Sequence, residues 1–383
     1  MDIPFIYDRY VTNKDFTGRK SERLALTSLI AADENIVLYE PPKSGKKSLV
    51  QQTLFEMRIA GRNFCASGTD LFNVGSSDIF LTKLGNAVIR SIAASPDEYA
   101  RTVSEYLGGT CFTFDRQMFA DYDKVLSITG TPDEKDMDAM FSLPYRLAEA
   151  SGTKMIITID EFQSVLHMKD CDTVLKVMEN VFRRYSEIRP SLCSYILSGS
   201  HVNAMKEIFC HRKFFWRTVE HLPLSRIDDR DLAEHIRRGF LKGGKDIERD
   251  QAIGICSLFK GNIWYINHFC AICDSMSKGY INEGIMLDAL NILTGIHEVR
   301  FMDMMDSLTG HQISFLKAAL DGETKFSSSD IIARYGLNSS ANVRRVKDAL
   351  LKKEILTFNE KEEPVILDPL FEYWVRKYYF EET

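Results

Sequence analysis

The chain has no excess of positive charge: 48 Lys and Arg stand against 54 Asp and Glu, a formal net charge of -6. No global field therefore draws the whole molecule to nucleic acid or to an anionic membrane, and any such contact has to come from a local patch. Uninterrupted hydrophobic runs are lacking too. The N-terminal stretch MDIPFIYDRYVTNKDF carries charges among its apolar residues, so it reads as neither signal peptide nor membrane anchor, and a cytoplasmic location is expected. The eight cysteines are scattered singly apart from Cys270 and Cys273, which argues against a disulfide framework. No second Cys or His pair of the usual zinc spacing follows them, so helix packing is favoured over metal for that pair.

What is present is a packed globular chain. Its 45% hydrophobic content, with 24 Phe and 15 Tyr, sets it apart from the disordered class, and 383 residues are enough for two or three domains with cores of their own. NIVLY at 35–39 reads as a buried strand, followed by a glycine-containing turn and a helical pattern from Ser48 to about Ala60. Asn63 to Gly68 and Asp78 to Ala93 repeat the strand and helix order, and residues 94–137 read as an insertion of helices and loops. MIITID at 155–160 and SYILSGS at 194–200 are two more buried strands, separated by a helix near Thr173 to Tyr185. That alternation predicts a parallel α/β sheet covered on both faces. Strand signals end with VEHLPLS at 219–225, helical period dominates to Asp306, and a helix, turn, helix, wing order closes the chain. The expected division is therefore 1–225, an α/β core; 226–305, a helical lid; and 306–383, a winged helix.

The chemistry lies in the turn after the first strand, Glu40-Pro41-Pro42-Lys43-Ser44-Gly45-Lys46-Lys47-Ser48. A phosphate-cradling loop needs glycines that let backbone N–H groups curl round the ligand, a lysine for the β and γ oxygens, and a hydroxyl for Mg²⁺. Gly45 and Lys46 sit where they should; Glu40 replaces the first glycine, and Lys47 replaces the hydroxyl, with Ser48 one residue late. The plain alternative is a basic, solvated turn. The strand ending in Asp160-Glu161 favours the phosphate reading. An aspartate there orders Mg²⁺ or its water shell, and the adjacent glutamate polarises a water for in-line attack. Asp160 and Ser48 are the candidate metal contacts.

Over nearly its whole length the sequence resembles AAA+/STAND ATPases of the archaeal-type ATPase family. Phe16-Thr17-Gly18-Arg19-Lys20 looks like that family's entry motif, YEPPKSGKKSLV its phosphate loop, IITIDEFQ its Walker B strand and SYILSGS its sensor strand. The resemblance implies ATP or ADP as cofactor, held by Gly18, Arg19, the loop residues Pro42 to Leu49 (Pro42, Lys43, Ser44, Gly45, Lys46, Lys47, Ser48, Leu49) and Ser198 or Ser200. It also implies a phosphate-contacting or interface arginine at Arg217, in KFFWR, so that Glu161, Asp160, Lys46 and Arg217 form the candidate catalytic set. Gly261-Asn262-Ile263-Trp264-Tyr265 is similar to the lid motif, with Ile263 where proline is usual, and Asp368-Pro369-Leu370-Phe371 to the closing segment.

The departure at position 47 removes a direct Mg²⁺ ligand, so hydrolysis should be slow and a nucleotide-dependent switch is as plausible as a motor. The recognition helix from Ser340 carries Asn342, Arg344, Arg345 and Lys347, a composition suited to DNA. A DNA-binding regulator or mobile-element accessory protein with a largely structural nucleotide fold is thus the alternative, and a scaffold that self-associates through Arg217 a third reading. The closing FEYWVRKYYF reads as a docking helix.

Overall fold

The computed structural model describes residues 4–188 and 190–381; the first three residues of the N-terminal stretch lie outside them. The chain divides into an α/β unit, residues 20–40 and 49–224, and a helical unit made from residues 4–19, 41–48 and 225–381.

In the α/β unit the order is α1 (Lys20–Ala31), β1 (Ile36–Tyr39), α2 (Lys46–Ile59, whose first residues belong to the loop segment), β2 (Phe64–Asp70) and α3 (Ser77–Arg90). The insertion follows as α4 (Pro96–Leu107), β3 (Phe112–Thr113), α5 (Arg116–Tyr122) and β4 (Ser127–Ile128). The core resumes with α6 (Glu134–Ser151), β5 (Lys154–Asp160), α7 (Cys171–Ser186), β6 (Cys193–Gly199), α8 (Val202–Lys206) and β7 (Glu220–His221). Five strands form one parallel sheet in the order β2-β5-β6-β1-β7. Every residue of β1 and β6 is buried, as expected of central strands covered on both faces. The register pairs Tyr39 with Gly199 and Asp70 with Asp160, so β1, β6, β5 and β2 all deliver their chain ends to one carboxyl edge.

Asn35 fixes the other edge. Its buried Oδ1 accepts from the Tyr195 amide at 3.0 Å and from the Tyr145 hydroxyl at 3.1 Å, and its Nδ2 donates to the Thr218 carbonyl at 3.4 Å. One side chain thereby satisfies buried groups from β6, α6 and the approach to β7.

The helical unit continues with α9 (Asp229–Lys242), β8 (Asp246–Ile247), α10 (Arg249–Leu258), α11 (Ile263–Met276), β9 (Tyr280–Ile281) and α12 (Glu283–Asp306). Its last part is α13 (Gly310–Leu320), α14 (Ser329–Tyr335), α15 (Ser340–Lys352), the antiparallel pair β10 (Leu356–Phe358) and β11 (Pro364–Ile366), and α16 (Pro369–Trp374). This last run has the winged-helix order. One apolar cluster runs through the unit from Phe5 through Phe240, Phe269 and Phe301 to Phe371 and Val375. Cys270 and Cys273 belong to it, and burial raises both thiols, the second to about 12. The closing aromatic segment packs inward through Leu370, Phe371, Trp374 and Val375.

Asn35→Ala would leave the Tyr195 amide and the Thr218 carbonyl without their partner inside the sheet. A loss of about 1–3 kcal/mol of unfolding free energy is expected for such an orphaned buried group, and urea unfolding measures it.

Candidate functional site

The loop between β1 and α2 turns on two left-handed residues, Lys43 (φ 66°) and Gly45 (φ 91°). Glycine adopts that region freely, whereas lysine holds it only where its surroundings insist. Lys46 opens α2 with its side chain buried, and its Nζ donates to the Pro41 carbonyl at 3.0 Å and to Ser44 Oγ at 3.4 Å. The loop thus curls round its own ammonium, with oxygen acceptors of the kind that phosphate oxygens would supply. Pro42, Lys43 and Lys47 are exposed, and Leu49 is buried beneath the first turn of α2. Ser48 Oγ accepts from the Val11 amide at 3.1 Å.

The entry motif packs within the same unit. Gly18 has φ 68°, and a Cβ there would lie 2.6 Å from Ile227 Cγ2, so the position admits glycine alone. Arg19 donates to the Ser44 carbonyl at 2.9 Å and to the Ser225 carbonyl at 3.0 Å. Thr17 Oγ1 pairs with His235 Nδ1 at 2.9 Å, His235 Nε2 pairs with Asn267 Oδ1 at 2.7 Å, and Asn267 Nδ2 donates to the Ile6 carbonyl at 2.8 Å. The Ile263 side chain, in the proline position of the lid motif, faces Gly45: a Cβ on that glycine would be 3.9 Å from Ile263 Cγ2.

In the α/β unit the carboxyl edge brings together Asp160, Glu161, Ser198 and Ser200. Ser198 Oγ donates to Asp160 Oδ1 at 2.7 Å, and Ser200 Oγ donates to Glu161 Oε2 at 2.6 Å. Gln163 Nε2 donates to the same Glu161 oxygen. Glu161 has φ 53°, a left-handed conformation held between these donors. Gln163 is the residue that sequence reasoning missed. Its only signal was its place two residues after the Asp-Glu pair.

Arg217 is not brought to these carboxylates. It precedes β7, whose Glu220 pairs with Ile36 at the start of β1, so it lies at the amino edge of the sheet. There it lines a cavity of about 320 Å³ with Asp33, Asn35, Tyr145, Tyr185 and Thr218. Arg217 and Asp160 therefore stand at opposite edges of the sheet. The recognition-helix residues divide as well. Arg344 and Arg345 are exposed, but Asn342 Nδ2 donates to the Leu337 carbonyl at 3.0 Å, and Lys347 Nζ lies 3.8 Å over the Phe358 ring and 3.4 Å from Glu362.

The donor set for Mg²⁺ is thin. Ser48 accepts an amide proton, Lys47 carries a positive charge where a hydroxyl would stand, and no group of three or more His, Cys, Asp or Glu among the described residues is placed to hold a metal ion. Among the described residues these groups do not assemble a metal site.

Burial lowers His235, His268 and His297, the last to about 4, with Arg300 and Lys43 adding to its shift. A folded-state value below the unfolded one near 6.5 means that each ring contributes stability that is complete above about pH 6.5 and lost as the pH falls, for His297 down to about 4. The urea midpoint should therefore drop between pH 6.5 and 4.5, and less steeply in His297→Gln than in the parent chain; parallel declines would remove His297 as a source.

Residues 299–377 match the model of a probable winged helix domain. No curated protein matches the chain. Among solved structures it is similar to the Walker-type ATPase of Pyrococcus abyssi, at 16% identity over 97% of this chain and 99% of that one, with a TM-score of 0.66. It is similar also to the ORC2 protein of Aeropyrum pernix in its ADP form, at 13% identity over 96% and 95% of the two chains and a TM-score of 0.54. The ADPNP-ADP complexes of the same protein give 13% identity, 94% and 93% coverage, and 0.52. These likenesses establish the fold, an α/β P-loop sheet of the AAA+ type with a winged helix at its C-terminal end.

Proposed function

We propose that this chain is an ATP- and ADP-binding AAA+/STAND-type protein that works as a nucleotide-dependent switch or slow ATPase. The observation that carries the proposal is Lys46, buried at the first residue of α2 with its ammonium turned into the curl of a loop held left-handed at Lys43 and Gly45. Cation, loop and helix start together suit a polyphosphate. Of the two carboxylates, Glu161 is the candidate to polarise water, its geometry supported by Ser200 and Gln163, and Asp160 to order the solvent about the phosphates. The poor metal ligation supports a binding reaction with weak Mg²⁺ dependence. We assign the functional division as 1–225, 226–305 and 306–383, with Arg217 in the role of an interface arginine towards a second copy. No helix among the described residues is long and apolar enough to cross a membrane, and the reading is of a cytoplasmic protein.

Calorimetric titration with ATP and ADP, in Mg²⁺ and in EDTA, tests this reading. Lys46→Ala should weaken binding by about ten- to a hundredfold, the effect of losing a charge-assisted contact. Glu161→Gln should keep ATP and lower phosphate release by about 10²–10⁴-fold. Unchanged affinity in a folded Lys46→Ala protein would remove the loop from the reading.

The exposed pair Arg344 and Arg345 on α15 favours a second activity, DNA binding by the winged helix. Changing both to Ala should lower DNA affinity and flatten the plot of log affinity against log salt by about one unit per lost phosphate contact. Failure of the intact chain to shift DNA at low salt would leave the module as a packing or protein-docking domain.

A further inference from the structure

Beyond the cradle, one cation of the loop is engaged elsewhere. Lys43 Nζ lies 3.2 Å from the centroid of the Trp264 ring in the lid motif. Its backbone is left-handed, at φ 66°. Trp264 is itself held from several sides. Its Nε1 donates to the Tyr7 carbonyl at 2.6 Å, and His268, stacked on Tyr7 at 4.2 Å, meets the indole edge-on at 5.2 Å. His297 of α12 approaches at 5.7 Å.

The neighbours of Trp264 lead into the winged helix. Tyr265 packs edge-on to it at 5.0 Å and donates its hydroxyl to Asp368 Oδ2 at 2.9 Å. Arg300 of α12 donates to the same Asp368 oxygen at 2.6 Å and to the Tyr265 hydroxyl at 3.0 Å. Asp368 in turn caps α16, accepting from the Leu370 and Phe371 amides. A path of direct contacts therefore joins the loop, the lid and the last helix.

We propose that Lys43 and Trp264 form a phosphate-sensing latch, with the Lys43 ammonium on the indole in one position and on nucleotide phosphate in the other. An aromatic face is the weaker partner for an ammonium and phosphate oxygens the stronger, so bound nucleotide draws Lys43 off the ring. Trp264 then loses the cation on its face, and the Tyr265, Arg300 and Asp368 group that caps α16 relaxes with it. Nucleotide is in this way reported to the winged helix within a single unit of the chain. The inference rests on the nucleotide reading given above.

The charges around Lys43 make the latch titratable. Although Lys43 is an exposed residue, desolvation of its ammonium lowers it to about 8, with Arg300 pushing the same way and Asp368 opposing; His268 and His297 face the same space from α11 and α12, and Tyr7 from the N-terminal segment. The ammonium is lost as the pH rises through 8, and the contact with the indole is lost with it.

The test uses the full chain and three readouts on the same samples: calorimetry for binding, the part of the tryptophan emission that Trp264→Leu removes, and amide exchange over residues 370–374. ATP, and inorganic tripolyphosphate as a probe without a base, should both shift the Trp264 emission and change the exchange. Lys43→Met should abolish both responses at saturating ATP, and should remove an emission step near pH 8 that the parent chain shows. Binding of ATP with no Trp264 response, or with an equal response in Lys43→Met, overturns the latch and leaves the nucleotide reading intact. Absence of ATP binding by calorimetry overturns that reading and the latch together.

Discussion

Arg19 donates to the Ser44 and Ser225 carbonyls, and the packing of the loop within the helical unit depends on that bridge. A guanidinium suits the task better than an ammonium, because its planar fork presents two fixed donors to two separate acceptors. The bridge is available only because the chain turns sharply before it. Gly18 and Arg19 are both left-handed, at φ 68° and 54°, and Ile227 sits where a Cβ on residue 18 would have to go. Entry motif, phosphate-type loop and the segment that leads into the lid are thus tied by one side chain.

The carboxyl edge of the sheet shows a second economy. A spacing of two along an extended segment sends Ser198 and Ser200 the same way, and each hydroxyl serves a different carboxylate, Asp160 and Glu161. A carboxylate has room for about four acceptor contacts, so one serine hydroxyl alone saturates neither. Gln163 adds a second donor to Glu161 alone. Asp160 Oδ1 accepts from the Glu161 amide at 3.2 Å besides Ser198, so both carboxylates are oriented by more than one donor, as a water-polarising group requires.

Much of this was legible in the sequence. The apolar runs of β1, β5 and β6 are buried on both faces, and runs of that kind have no other soluble use than the middle of a parallel sheet. The Asp-Glu pair and the Ser-x-Ser pattern were readable because strand ends in such sheets share an edge. Arg217 was not placed by its motif, because a residue just before a strand and one just after it look alike in sequence and lie at opposite edges in space. Asn342 and Lys347 read as groups for DNA, yet a neighbouring carbonyl, ring and carboxylate satisfy them locally. Composition shows which donors a helix has, and only the fold shows which are already spent. The cation over Trp264 was out of reach for a similar reason: it depends on where the fold places Lys43, to which no pattern of side chains points.

Helix α12 runs unbroken for 24 residues, from Glu283 at the end of the lid to Asp306 at the edge of the winged helix. At 1.5 Å per residue that is a rod of about 36 Å. The match to the winged-helix model begins at residue 299, inside this rod, so the boundary between the two modules is drawn across a continuous helix. Mechanically, the two modules share an axle. A twist applied in the C-terminal half of the rod, where His297 and Arg300 sit beside Trp264 and Tyr265, reaches the winged helix without passing through a joint. Any swing of the winged helix must then be hinged elsewhere in the chain, and it carries the last helix of the lid along.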